Sequence, residues 1–237
     1  MEQETKEDFK TYMREQGRVE RDKLKTMTIG EKADYIWTYY KAHIIIAAFL
    51  ILSAVSLASH LLKGSQESIL YSMVINSDVW QTDDSTPPIY TDFMAEKGFD
   101  SKKYKVDYHA GLTVALNEEG EAKDLQMFSV VATLLMSGTV DHILTDEDVV
   151  VMLGEIGYIM PMEEYLPQEK IAEYDREGKI IYGTHPDTKK ETAFGLSLGE
   201  SQRIKQAGLF SFSPAYAMIY AAPHLENSID FLFFLEP

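Results

Sequence analysis

The longest apolar run in the chain extends from Ile44 to Leu62, nineteen residues without Asp, Glu, Lys or Arg. As a helix it would be roughly 28 Å long, close to a hydrocarbon core of about 30 Å. With Ala42 and His43 added, a membrane-spanning helix is expected over residues 42–62. Serines at 53, 56 and 59 can bond back to the preceding turn. Just upstream, Thr28-Ile29-Gly30-Glu31 has the form of a capping box, which predicts a helix start. The helix that follows carries Ile36, Trp37, Tyr39 and Tyr40, side chains that suit the headgroup layer. Ser56-Leu57-Ala58 has the spacing of a signal-peptidase site, but the 41 residues before the span exceed an ordinary leader. An uncleaved anchor is the expectation.

Beyond a linker at 63–67, residues 68–237 change period repeatedly, as an α/β domain does. Ile69–Ile75 is mostly apolar and predicts a strand buried on both faces. A helix is expected over Ile89–Lys97, closed by Gly98, and an alternating strand over Lys103–His109. Asn117–Glu121 reads as a turn. Ala122–Ser137 predicts a helix with Leu125, Phe128, Ala132 and Leu135 on its inner face and Gly138 as its stop. Val140–Leu144 predicts a strand. Thr145 is the expected cap of the next helix, with Asp146, Glu147 and Asp148 at its positive end. A short helix after Pro167, strands at 179–182, 192–198 and 216–222, and a last helix over Glu226–Leu235 complete the pattern. Ile229, Leu232 and Phe233 are its expected core residues. The fold class is thus a three-layer α/β domain with a mixed, partly parallel sheet, preceded by one transmembrane helix.

Charge gives the span a direction. Met1–Lys41 holds nine basic and nine acidic residues, whereas only Lys63 is basic within a dozen positions after the span. Orientation follows the basic residues, so residues 1–41 are expected to be a cytoplasmic tail and 68–237 an extracytoplasmic domain. Past Lys63, 12 Lys/Arg oppose 29 Asp/Glu, a balance of −17. So acidic a domain is expected to be repelled by nucleic acid and by anionic headgroups; its charge reads as a solvated surface that keeps the domain in solution, with attraction to a cationic ligand or a divalent metal as the alternative. No cysteine is present, which excludes disulfides and thiolate chemistry.

Three stretches resemble type 2 extracytoplasmic solute-binding proteins. Gly138-Thr139-Val140-Asp141-His142-Ile143-Leu144-Thr145-Asp146 is similar to that family's G-x-x-D-h-h-h-x-D strand. Gly157-Tyr158-Ile159-Met160-Pro161-Met162 resembles its return motif. Tyr216–Leu235 resembles its C-terminal ending, with Ser228 where alanine is usual. The resemblance implies a solute-binding fold, a small solute as ligand and a membrane transporter subunit or other membrane protein as partner. Two departures modify it. The family's lipidated cysteine is missing, so the bilayer contact at 42–62 would replace the lipid. Only Leu166–Lys190 is free to form a second lobe, so one lobe is expected. The resulting expectation is an accessory, sensor or scaffold without catalysis. A transporter-linked receptor and a surface hydrolase are the alternatives.

Open α/β sheets place ligands at the C-terminal ends of strands. Asn76, Asp78, Thr145 and Asp146 are accordingly the candidate ligand-binding residues. Asp141 is grouped with Asp146, Glu147 and Asp148 at that same strand end. Asn117–Glu121 lacks the alternating oxygens of a calcium loop, and no pair among the six histidines has zinc-site spacing. Gly195-Leu196-Ser197-Leu198-Gly199 centres Ser197 as a nucleophile would be, but in an expected strand and without partners that spacing can name. No metal, cofactor, catalytic residue or phosphate loop is expected.

Overall fold

The structure is a computed structural model describing residues 14–15, 18–19, 27–63, 66–78 and 86–236. Most of the tail, the linker residues 64–65, and the side chains at 36, 39, 42–43 and 59–63 lie outside the described residues.

Helix α1 runs over Ile29–Lys63. Its start is the reciprocal capping box expected at Thr28. Glu31 Oε2 accepts from Thr28 N at 2.8 Å, and Thr28 Oγ1 accepts from Glu31 N at 3.4 Å. The bonds that Thr28 N and Thr28 Oγ1 donate to its carboxylate hold Glu31 below its ordinary pKa. From Ile44 to Ala58 the helix is apolar or small on every side, and Ile45, Phe49, Leu50, Leu52 and Val55 are between 60 and 68% exposed. That stretch is about 22 Å long. Among the described residues, no helix is long and apolar enough to cross a membrane.

Residues Gln66–Pro237 form a separate compact unit. Its elements are β1 (Glu67–Ile75), α2 (Pro88–Glu96), β2 (Tyr104–Leu112), α3 (Leu125–Met136), β3 (His142–Thr145) and α4 (Glu147–Glu155). A 3-10 turn at Met162–Glu164 precedes α5 (Gln168–Arg176), β4 (Ile180–Thr184), β5 (Glu191–Ser197), α6 (Gln202–Ala207), β6 (Ala215–Met218) and α7 (Leu225–Leu235). One six-stranded sheet has the order β2-β1-β3-β6-β5-β4. β1 is parallel to β2 and β3, while β6 is antiparallel to β3 and to β5, and β4 is antiparallel to β5. The fold is therefore α/β with a mixed, partly parallel sheet.

Alternation along the strands divides the core between two faces. On β6, Tyr216 and Met218 join the layer formed with α2, α5, α6 and α7, whereas Ala215 and Ala217 face α3 and α4. The first layer is built around aromatic rings. Phe231 lies 5.1 Å edge-on from Phe93 and 5.4 Å from Tyr90, both centroid to centroid. In the second layer α4 lies close against β5. A Cβ added to Gly154 would stand 2.5 Å from Cδ2 of the buried Phe194.

Several expectations need correction. Helix α3 begins at Leu125 rather than Ala122, because Leu116 bridges Ala122 across a small hairpin and Asp124 caps the helix. Its buried residues are Val131 and Leu135, and Leu125 is 75% exposed. The cap of α4 is Asp146, not Thr145, since Asp146 Oδ1 accepts from Val149 N at 3.0 Å. On α7 the buried stripe is Ser228, Phe231, Leu232 and Leu235, with Phe234 beside it. Ile229 and Phe233 are only partly buried. An apolar-only reading passes over Ser228, the residue that sets the stripe's phase. Helix α6 was not expected. Six residues are too few for a periodic signal, and its ends come from Ser201, which caps Ile204 N, and from Gly208 at φ 62°.

Because Gly154 touches the Phe194 ring near its base, Gly154→Ala should destabilise the domain by about 1–3 kcal/mol despite alanine's better helix propensity. Urea unfolding of the variant would measure this. A neutral or stabilising result would mean that α4 can move off β5 freely.

Candidate functional site

Three of the four candidate residues meet where β1 and β3 end. Asn76 follows β1 in a left-handed conformation, φ 59°, which asparagine tolerates better than most residues. Its amide Nδ2 donates to Asp146 Oδ2 at 2.6 Å and to Val114 O at 2.9 Å. Its Oδ1 accepts from Val114 N at 2.7 Å. Asp146 then uses its other oxygen to cap α4, and Thr145, fully buried, donates weakly to Asp146 Oδ2 at 3.4 Å. The hydrogen-bonding capacity expected to meet a solute is thus largely spent inside the protein, tying the chain after β2 to β1, β3 and α4. Asp78 is not part of this network. It is exposed, its backbone N donates to Leu209 O, and Ser211 Oγ donates to its carboxylate at 3.3 Å.

Asp141 does not share the strand end with Asp146. It precedes His142, the first residue of β3, so a whole strand separates them. It is fully buried, and three donors surround its carboxylate. Tyr71 N donates to Oδ2 at 2.6 Å and His224 N to Oδ1 at 2.7 Å, while His224 Nδ1 lies 3.0 Å from Oδ2. The expectation of one acidic group fails because β3 is only four residues long, and the aspartates flank it.

Next to Asp141 lies a constellation that spacing did not reveal. His142 Nδ1 is 2.9 Å from Ser228 Oγ, which is 2.6 Å from Tyr216 Oη. Tyr216 Oη also donates to Ser228 O at 2.9 Å. All three residues are fully buried, and the imidazole stacks between Tyr216 and Phe231. Nε2 has no partner. A proton on Nδ1 satisfies every donor: His142 to Ser228 Oγ, Ser228 to Tyr216 Oη, Tyr216 to the backbone carbonyl. Only a bare acceptor is then left over, which costs less than an orphaned N–H. Burial pushes the imidazole pKa down to about 3. A serine beside a histidine suggests nucleophilic chemistry, but this pair is sealed from solvent and works as a polar pin in the core. Its one sequence signal was Ser228, a polar residue among the apolar positions of the last expected helix.

Ser197, the hydrolase candidate, is the last residue of β5. Its hydroxyl has no hydrogen-bond partner among the described residues, so no base activates it there. Among the described residues no three His, Asp or Glu side chains are placed to hold a metal.

A groove of about 760 Å³ lies between the 116–122 hairpin and α4. Leu116, Leu125, Phe128 and Met152 supply an apolar floor. Glu118, Glu119 and Glu121 come from the hairpin, and Asp148 and Glu155 from α4; no basic residue lines it. Asn117 shapes the hairpin by accepting from Glu119 N and Glu121 N through Oδ1 at 3.0 and 2.8 Å. Asn117–Glu121 is the turn expected from the sequence, and its acidic residues gain an apolar floor only where α3 and α4 pack beside it.

Two outcomes follow from these networks. Asn76→Ala should cost about 2–4 kcal/mol, losing the amide bonds and straining the left-handed backbone. Asn76→Gly should cost less, since it removes only the bonds; chemical denaturation of the pair would reveal the difference, and equal losses would refute the backbone contribution. His142 is neutral in the fold but titrates near 6.5 when unfolded, so its contribution is complete above pH 6.5 and falls as the pH drops towards 3. The slope from this group is about 1.4 kcal/mol per pH unit. His142→Phe should flatten the acid limb of a stability–pH curve, and an unchanged limb would contradict the assignment.

No protein-family model, curated protein or solved structure matches the chain.

Proposed function

We propose that this chain is a single-pass membrane protein whose acidic extracytoplasmic domain acts, without catalysis, as an accessory, sensor or scaffold. The observation that carries the reading is helix α1, where large apolar side chains from Ile44 to Leu57 stand exposed on all sides. A helix that is apolar all round must be covered by lipid or by protein. Residues 42–62 are the proposed span, in contact with the bilayer. The excess of basic residues before it supports a cytoplasmic N-terminus.

The resemblance to one lobe of a type 2 solute-binding protein supports the nature of the domain. β3 carries the G-x-x-D-h-h-h-x-D stretch, and β6 with α7 carries the C-terminal one. The segment that would have to supply a second lobe forms α5 and β4, and β4 adds to the same sheet. This favours the one-lobe reading over a receptor that closes on a solute between lobes. The internal use of Asn76 and Asp146 favours it further, and a protein partner fits better than a small solute.

Protease added to intact protoplasts should remove residues 66–237 while an epitope at the N-terminus survives. Alkaline carbonate should leave the untreated chain in the membrane pellet. A protected domain would overturn the orientation, and release by carbonate would overturn the anchor.

A further inference from the structure

We propose that the groove between the 116–122 hairpin and α4 binds a cationic amphipathic peptide segment of a partner protein. This deepens the scaffold reading and rests on it only in that the occupant belongs to another protein.

Three observations converge on that occupant. The rim is acidic on both sides, and Glu118, Glu119, Glu121 and Asp148 form no ion pair among the described residues. Like charges facing one another across a narrow groove repel, and cations placed among them relieve the repulsion. The floor is apolar. Leu125 is 75% exposed there, at the first position of α3, and Ile156 is 51% exposed at the end of α4. A ligand satisfying both surfaces has an apolar face flanked by positive charge, the usual form of a helix laid in a groove.

The third observation separates a peptide from a small cation. The carboxylates do not converge. Among the described residues no three acidic or histidine side chains are placed to share one metal ion. They come instead from two elements on opposite sides of the floor. One of them is already oriented, since Glu155 Oε1 accepts from Thr184 N at 2.9 Å. Spaced acids around 760 Å³ of open groove suit several Lys or Arg groups on one scaffold, with an apolar anchor between them.

The test uses the full-length protein in lipid nanodiscs made only of zwitterionic lipid. The probe is a fluorescent peptide about three helical turns long, with lysines on one face, leucines on the other and one photo-crosslinking side chain. Control peptides replace every Lys by Glu, or every Leu by Ser. Crosslinks should map to residues 116–122 and 148–156, and affinity should fall steeply with added salt. The E118Q/E121Q/D148N variant should bind about tenfold more weakly, and L125S should also bind more weakly. Both changes are at exposed positions, and a matching far-UV spectrum would establish that the fold is kept. Unaltered affinity in the charge variant, crosslinks elsewhere, or equal binding of the serine control would overturn the proposal. Protease topology does not enter this assay, so a failed groove and a failed anchor give different results.

Discussion

The sheet depends on how firmly β1 is held to β3. Only three residue pairs are in register between them, Ser72 with His142, Met73 with Ile143 and Val74 with Leu144. Such a short parallel ladder is weak by itself. It is reinforced at both ends by a side chain. At one end the Asp141 carboxylate takes the Tyr71 amide and reaches over to His224, and at the other Asn76 grips Asp146. Asp141 is fully buried and Asp146 half-buried, and both carboxylates are met by N–H donors, which makes these bonds charge-assisted. Slipping the strand by a residue would leave a buried carboxylate without its donors and would turn His142 out of its stack.

That economy also explains why the strand ends make a poor solute site. A residue that binds a ligand needs unspent hydrogen bonds in its free state. Asn76 uses both its oxygen and its nitrogen, and Asp146 uses both oxygens. The unspent groups are carboxylates away from the strand ends, on the hairpin and the outer face of α4. In this domain the structural and the recognition functions of acidic residues are carried by different sets. Those inside meet amides, and those outside meet solvent.

Much of the fold was legible in the sequence. From Ile69 onward β1 is mostly apolar, and its burial on both faces follows from that. The capping box at Thr28 and Glu31 is a local pattern whose geometry needs no tertiary information. The candidate site was legible only in part. Asn76, Thr145 and Asp146 were located by where a sheet puts its loops, but their partners are Val114 and one another, far apart in the chain. His142, Ser228 and Tyr216 are brought together by pairing of β3 with β6 and packing of α7, and no spacing rule connects them. α6 escaped notice because a six-residue helix is defined by its caps rather than its period. The groove was missed for a different reason: carboxylates on a turn carry meaning only beside the apolar floor, which exists once α3 and α4 are packed.

The position of β6 in the sheet has a consequence for how the molecule is made. It comes from residues 215–218, yet it lies between β3 and β5, bonded to both. Until residues 215–218 are in place, the β2-β1-β3 trio and the β5-β4 hairpin have nothing to join them, and each presents an unpaired strand edge. A folding chain in which β6 is not yet paired therefore holds two half-sheets and no domain. Closure waits for the final strand and for α7, which covers the new seam with Phe231 and Leu232. The two halves thus become one sheet only when β6 pairs on both of its edges at once.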